Sequence, residues 1–159
     1  MSLCDDFVQV STRDTAGIVR AAREQRADGL TTCGADHALG STAAAALELG
    51  LPFYASPETV RVCQRKDLMR ARYREAGAPS PAHAPIGSLA EAAEFRRGAG
   101  LPLVVKPARG WGQRGVSVIK RDEEFEPAVL RALEAAQAAA GRATCVLEQG
   151  LDGIRKAMK

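Results

Sequence analysis

The chain has 159 residues, 46% of them hydrophobic and 26% charged, a balance that suits one compact unit or two small lobes and excludes extensive disorder. No stretch approaches the ~20 consecutive apolar residues that cross a bilayer. The opening Met1-Ser2-Leu3-Cys4-Asp5-Asp6 lacks the basic region and apolar run of a secretory signal, so a cytoplasmic protein without membrane contact is expected.

In chain order, residues 7–10 form a short β-prone run, residues 15–24 a helix and residues 29–33 a second short strand, an alternation that predicts a parallel βαβ layer. Asp36 caps a predicted helix through Leu49 whose Leu39, Ala43 and Leu47 share a face, and Gly50 ends it before a short strand at residues 52–54. Ser56-Pro57-Glu58 opens the next helix with a capping hydroxyl, a proline at the first helical position and an acid in the first turn.

A helix over residues 66–76 sets Met69, Tyr73 and Ala76 on one side and Lys66, Arg70 and Arg74 on another, and Gly77 stops it. Three prolines between Ala78 and Pro85 forbid a continuous helix and predict a lobe boundary near that stretch. Ser88 and Glu91 form a capping box for a helix to about Arg97, released by Gly98 and Gly100. The remainder reads as α+β: strand 103–107, a glycine-rich loop, strand 116–120, helix 123–140 and strand 144–149.

The net charge of +3 is modest, but between Arg61 and Arg74 six basic residues meet only Asp67, a local bias that suits an anionic ligand. Seven aromatic residues and no recognition helix make nucleic acid a poor partner. Cysteines 4, 33, 63 and 145 form no CxxC pair and read as reduced thiols, and Cys33, Asp36 and His37 are too few ligands for a metal site.

Gly110-Trp111-Gly112-Gln113-Arg114-Gly115 matches GxGxxG, a pattern whose meaning depends on its flanks. A dinucleotide fold needs a helix directly after the loop, whereas Val116-Ser117-Val118-Ile119 is a strand signal, and no Gly-Lys-Ser/Thr follows to make a Walker loop. Strand, loop, strand gives a flap whose backbone donors close over phosphates. A kinase carries its lysine downstream of such a loop; here Lys106 lies upstream, on the apolar strand Leu103-Val104-Val105-Lys106-Pro107, where its charge calls for an anion.

The ordered pieces Lys66-Asp67-Leu68-Met69-Arg70 with Ala76-Gly77-Ala78-Pro79, then Pro102-Leu103-Val104-Val105-Lys106-Pro107 with Gly110 to Gly115, then Cys145-Val146-Leu147-Glu148-Gln149-Gly150-Leu151-Asp152-Gly153 resemble the ATP-grasp superfamily of carbamoyl phosphate synthetase and biotin carboxylase. The resemblance implies an α/β chain with two parts: residues 1–64 as a partial Rossmann-like pre-ATP-grasp domain with the parallel layer, and residues 65–159 as the N-terminal part of an α+β ATP-grasp nucleotide-binding lobe. It implies that Lys66 and Lys106 contact the α and β phosphates of ATP and that the loop, with Gly110, Gly112, Gln113 and Gly115, covers the β and γ phosphates. Glu148 would accept from the adenine amino group, and backbone groups of Gln149 and Leu151 would pair with the ring. Arg114, with Arg109 beside it, either stabilises charge on the γ phosphate as a catalytic group or keeps the loop soluble.

The implied parent activity is ATP-dependent ligation of a small-molecule carboxylate to an amine through an acylphosphate, with magnesium as cofactor. Two departures bear on it: Ile154-Arg155 stands where a ribose-binding acid is expected, and the chain ends before the family's magnesium carboxylates, so no metal ligand is assigned. The chain is therefore expected to be an internal fragment, truncated at both ends and catalytically incomplete, with an apolar sheet face that favours homo-oligomers. A non-catalytic nucleotide-binding or regulatory module is the second reading and an NAD-binding dehydrogenase domain the third.

Overall fold

The structure is a computed structural model that describes residues 4–151. The chain divides into two compact units, Met1–Val62 and Cys63–Lys159.

In the first unit, α1 (Thr15–Glu24) packs against α2 (Asp36–Leu49), and α3 (Pro57–Gln64) follows. Local chemistry explains the starts and stops. The Asp14 carboxylate accepts from Gly17 N–H at 3.0 Å, Ser56 Oγ accepts from Thr59 N–H at 3.1 Å, and Gly50 closes α2 in the left-handed conformation at φ 67°. Asp36 is the first helical residue of α2 rather than its cap, a position occupied by Ala35.

One expectation fails in this unit. The predicted strands at 7–10, 29–33 and 52–54 are not formed, so no parallel layer exists among the described residues. A strand is defined by a neighbour that takes its backbone hydrogen bonds, and three- to five-residue apolar runs without one stay irregular; Phe7 is 78% exposed. Of the residues Leu39, Ala43 and Leu47 that share a face of α2, only Ala43 belongs to its buried face. That face is Ala38, Thr42, Ala43, Ala45 and Ala46, with Leu47 70% exposed, because small side chains admit the neighbouring helix more closely than a leucine stripe.

The second unit opens with α4 (Lys66–Glu75), closed by Gly77 at φ 66°. It continues through β1 (His83–Ile86), α5 (Leu89–Ala99), β2 (Leu103–Pro107), β3 (Ser117–Ile119), a 3-10 turn at Asp122–Glu124, α6 (Phe125–Ala140) and β4 (Cys145–Gln149). The strands form one sheet in the order β1-β4-β2-β3 with every neighbouring pair antiparallel. The proline-rich stretch expected to separate lobes instead leads into β1, whose His83 and Pro85 pair with Glu148 and Val146.

Register divides the sheet into two faces. Leu103 and Val105 of β2, Ile119 of β3, Cys145 and Leu147 of β4 and Ile86 of β1 are fully buried against Ala92 of α5 and Phe125, Val129, Ala132 and Ala136 of α6. That face is the hydrophobic core. The alternate residues Val104, Lys106, Val146 and Glu148 point the other way, the consequence of a two-residue side-chain period. Ser88 caps α5 by accepting from Glu91 N–H at 3.2 Å, while the Glu91 carboxylate reaches past Ser88 to the N–H of Gly87.

Candidate functional site

The face of the sheet away from α6 carries the charged residues that sequence reasoning singled out. On β4, Glu148 is opposite Val104 of β2, so Lys106, two residues along β2, is its diagonal neighbour on the same face. The Lys106 ammonium donates to Glu148 Oε1. Arg70 of α4 holds the other oxygen: its Nε donates to Glu148 Oε2 at 3.1 Å and its Nη2 at 2.8 Å. Glu148 is buried, with its side chain 9% exposed against 14% for Arg70 and 17% for Lys106, so this is a screened triad of two cations and one carboxylate.

Lys66 is placed by the backbone. Its N–H donates to the carbonyl of Ala108 at 2.9 Å, tying the first turn of α4 to the chain leaving β2, and its ammonium donates to the carbonyl of Gly110 at 3.3 Å. Burial, and then the nearby Lys106 charge, hold the Lys66 ammonium below the usual lysine range. Two ammonium groups that repel each other at the mouth of a glycine loop form a site whose charge an anion completes.

Behind Lys66, burial would raise the Asp67 carboxyl, but Arg65 outweighs it through paired bonds of 2.9 Å and 2.5 Å and holds it below the usual carboxylate range. Most of the basic run reserved for an anion is in fact spent on acids of the chain: Arg61 on Glu58, Arg65 on Asp67, Arg70 on Glu148 and Arg72 on Glu75. Lys66 of this run reaches the loop at the Gly110 carbonyl.

The loop between β2 and β3 follows Pro107 and turns at residues 112–115. Gly112, Gln113 and Gly115 have φ of 64°, 59° and 73°, the left-handed region in which glycine is unstrained and glutamine is not. Gly115 is also required by contact, because a Cβ there would lie 2.7 Å from Ala135 Cβ and 2.9 Å from Pro107 Cγ. Its neighbours Gly112, Gln113 and Arg114 are exposed, and the Arg109 guanidinium lies 6.0 Å from the Trp111 ring centroid. Strand β3, not a helix, follows the loop, so the pyrophosphate-binding helix of a dinucleotide fold is absent from this position.

The remaining predicted residues sit at the margin. Gln149 ends β4 and its N–H donates to the carbonyl of Ala82 at 2.8 Å; Leu151 follows the strand and is 60% exposed. Asp152, Gly153, Ile154 and Arg155 lie outside the described residues. Among the described residues no three His, Cys, Asp or Glu side chains converge, and no helix is long and apolar enough to cross a membrane. Sequence reasoning missed Arg70 as a site residue. The signal was its place one helical turn beyond Lys66 on the same face of α4.

Human mitochondrial pyruvate carboxylase is 39% identical over 102 residues, covering 63% of this chain and 9% of that protein. The N-terminal section of the carbamoyl phosphate synthase large chain of Methanopyrus kandleri is 31% identical over 137 residues, 81% of this chain and 24% of the relative. The chain thus spans a minor part of the curated relatives it matches. Among solved structures, the biotin carboxylase domain of Hydrogenobacter thermophilus 2-oxoglutarate carboxylase, in complex with MgADP, ADP and bicarbonate, superposes with a TM-score of 0.76 at 23% identity, over 88% of this chain and 32% of that one. The L-amino acid ligase of Bacillus licheniformis gives a TM-score of 0.65 at 26% identity, over 87% and 30%. The family described as carbamoyl-phosphate synthase L chain, ATP binding domain, matches residues 65–157, more than half of the chain, and the protein belongs to this ATP-grasp family.

Proposed function

We propose that this chain supplies the nucleotide-binding part of an ATP-dependent ligase that activates a carboxylate by phosphorylation and passes the acyl group of the acylphosphate to a nitrogen nucleophile. The observation that carries the reading is the convergence of Lys66, Lys106 and Glu148 on one face of a buried antiparallel sheet, beside a glycine loop anchored at Gly115. In this reading residues 1–64 are part of the domain preceding ATP-grasp and residues 65–159 the first part of the ATP-grasp domain.

The chemistry of the donors fits a triphosphate. Lys66 and Lys106 bring compact charges that reach single phosphate oxygens, and the 110–115 loop is assigned the backbone N–H donors that would close over the phosphates. A polyanion would offset the mutual repulsion of the two ammonium groups by its attraction to each of them. Glu148 offers acceptor oxygens to an exocyclic amine and Arg114, exposed on the loop, provides charge toward a γ phosphate. Magnesium, when bound with the nucleotide, would neutralise phosphate charge; among the described residues no three His, Cys, Asp or Glu side chains converge to hold it.

Calorimetric titration with ATP, ADP and NAD, each with and without magnesium, tests the reading. Heat from the adenine mononucleotides ATP and ADP but not from NAD is the expected result. Heat from NAD alone would overturn it in favour of a dinucleotide-binding domain.

A further inference from the structure

We propose that Arg70 is the positioning residue for Glu148: it keeps one carboxylate oxygen in place so that Lys106 can leave the other oxygen for a phosphate and free it for the base. The inference rests on the nucleotide reading above. Both Arg70 bonds fall on Oε2, from Nε at 3.1 Å and Nη2 at 2.8 Å, while the Lys106 ammonium is on Oε1. The two cations therefore divide the carboxylate between them.

A phosphate entering beside Lys106 competes with Glu148 for the ammonium. If Lys106 were the sole countercharge, its departure would leave a buried carboxylate without a partner, a penalty subtracted from nucleotide affinity. The guanidinium of Arg70 stays behind and removes most of that penalty. Its planar fork, seated on one oxygen, also fixes the plane of the carboxylate and hence the direction of the vacated Oε1. That oxygen is an acceptor only, so it takes an N–H from a 6-amino purine and repels the carbonyl of a 6-oxo purine. Arg70 thus couples release of Lys106 to discrimination at the base, although α4 places it on neither the phosphate loop nor the strand that carries Glu148.

The experiment compares ADP with inosine diphosphate, which share their phosphates and differ at the 6-position, by calorimetry on the unsubstituted chain, Arg70→Ala and Arg70→Lys. The unsubstituted chain is expected to prefer ADP by roughly 10- to 100-fold, the range of a charged hydrogen bond. Arg70→Ala should bind ADP about tenfold or more weakly and lose most of the preference. Arg70→Lys, which keeps the charge without the fork, should recover affinity for both diphosphates and only part of the preference. A purely structural role would lower both affinities together and leave their ratio unchanged; that result in a folded Arg70→Ala overturns the proposal. Should circular dichroism show Arg70→Ala unfolded, Arg70→Lys decides, and a preference equal to that of the unsubstituted chain overturns the proposal. Failure of the unsubstituted chain to bind either diphosphate is a different result, which overturns the nucleotide reading and this inference with it.

Discussion

Glu148 and its two partners are unequal in what their removal does, because one carboxylate balances two cations. Lys106→Ala leaves the Arg70–Glu148 pair intact, so circular dichroism should be unchanged while ATP affinity falls by about 1.5–3 kcal/mol, the worth of a charge-assisted contact. Glu148→Ala leaves Arg70 and Lys106 facing each other in a screened site. It should lower the melting temperature as well as the affinity, and Glu148→Gln, which keeps the shape, should lower it less. Calorimetry with parallel melts checks both, and Lys106→Ala binding ATP as the parent does would sink the phosphate assignment. Lys66 has its own signature. Its folded-state value is depressed, so the folded chain sheds that proton before the unfolded chain does, and this contribution to stability rises with pH up to the ordinary lysine value of 10.5. An amine-acylating reagent at alkaline pH should therefore modify Lys66 readily, and ADP should protect it, as read by mass spectrometry of the peptide.

At the scale of elements, α4 and the glycine loop hold the site from two sides. Asp67 in the first turn of α4 is depressed despite its burial, because Arg65 outweighs the desolvation. Its stabilising contribution is present at neutral pH and is lost as pH falls through its folded value, below the ordinary 3.8. Asp67→Asn should accordingly flatten the acid limb of a stability–pH profile measured by urea unfolding; an unchanged limb would show that Arg65 gives it no such role. In the loop, Gly115→Ala combines a left-handed backbone with collisions against Ala135 and Pro107 and should cost about 2–4 kcal/mol. Gly112→Ala meets open space and carries only the backbone strain, about 1–2 kcal/mol. Melting temperatures of the two variants should separate accordingly.

For the whole molecule, the division at Val62 and Cys63 leaves every site residue named above in the second unit. A chain of residues 63–159 should retain the antiparallel sheet and bind ADP with the affinity of the full chain. Fluorescence of Trp111, the single tryptophan, which lies in the loop, provides the readout. Loss of ADP binding in a shortened chain whose circular dichroism shows a folded sheet would mean that residues 1–62 take part in the site.

What the sequence determined by itself is the set of elements whose causes are local. Helix α1 and strand β2 fall at the bounds the pattern predicts, and α4, α5, α6, β3 and β4 fall within a few residues of them. Caps, left-handed glycines and two- or 3.6-residue periodicity act over a single turn or strand, within reach of one reading of neighbours. Lys106 was legible for the same reason, a cation on an apolar strand with no local partner, whereas Lys66 and Glu148 were singled out by the resemblance of their motifs. Only the tertiary structure decided the rest. The apolar runs at 7–10, 29–33 and 52–54 carry β propensity but no ladder partner, and propensity without a partner does not make a sheet. Leu47 fits a helical stripe yet lies in solvent, because which face of a helix is buried depends on what packs against it. The pairing of Arg70 with Glu148 joins residues 78 apart, and no local rule connects them; strand order and register bring β4 beneath α4, and the low dielectric of that face gives the pair its consequence.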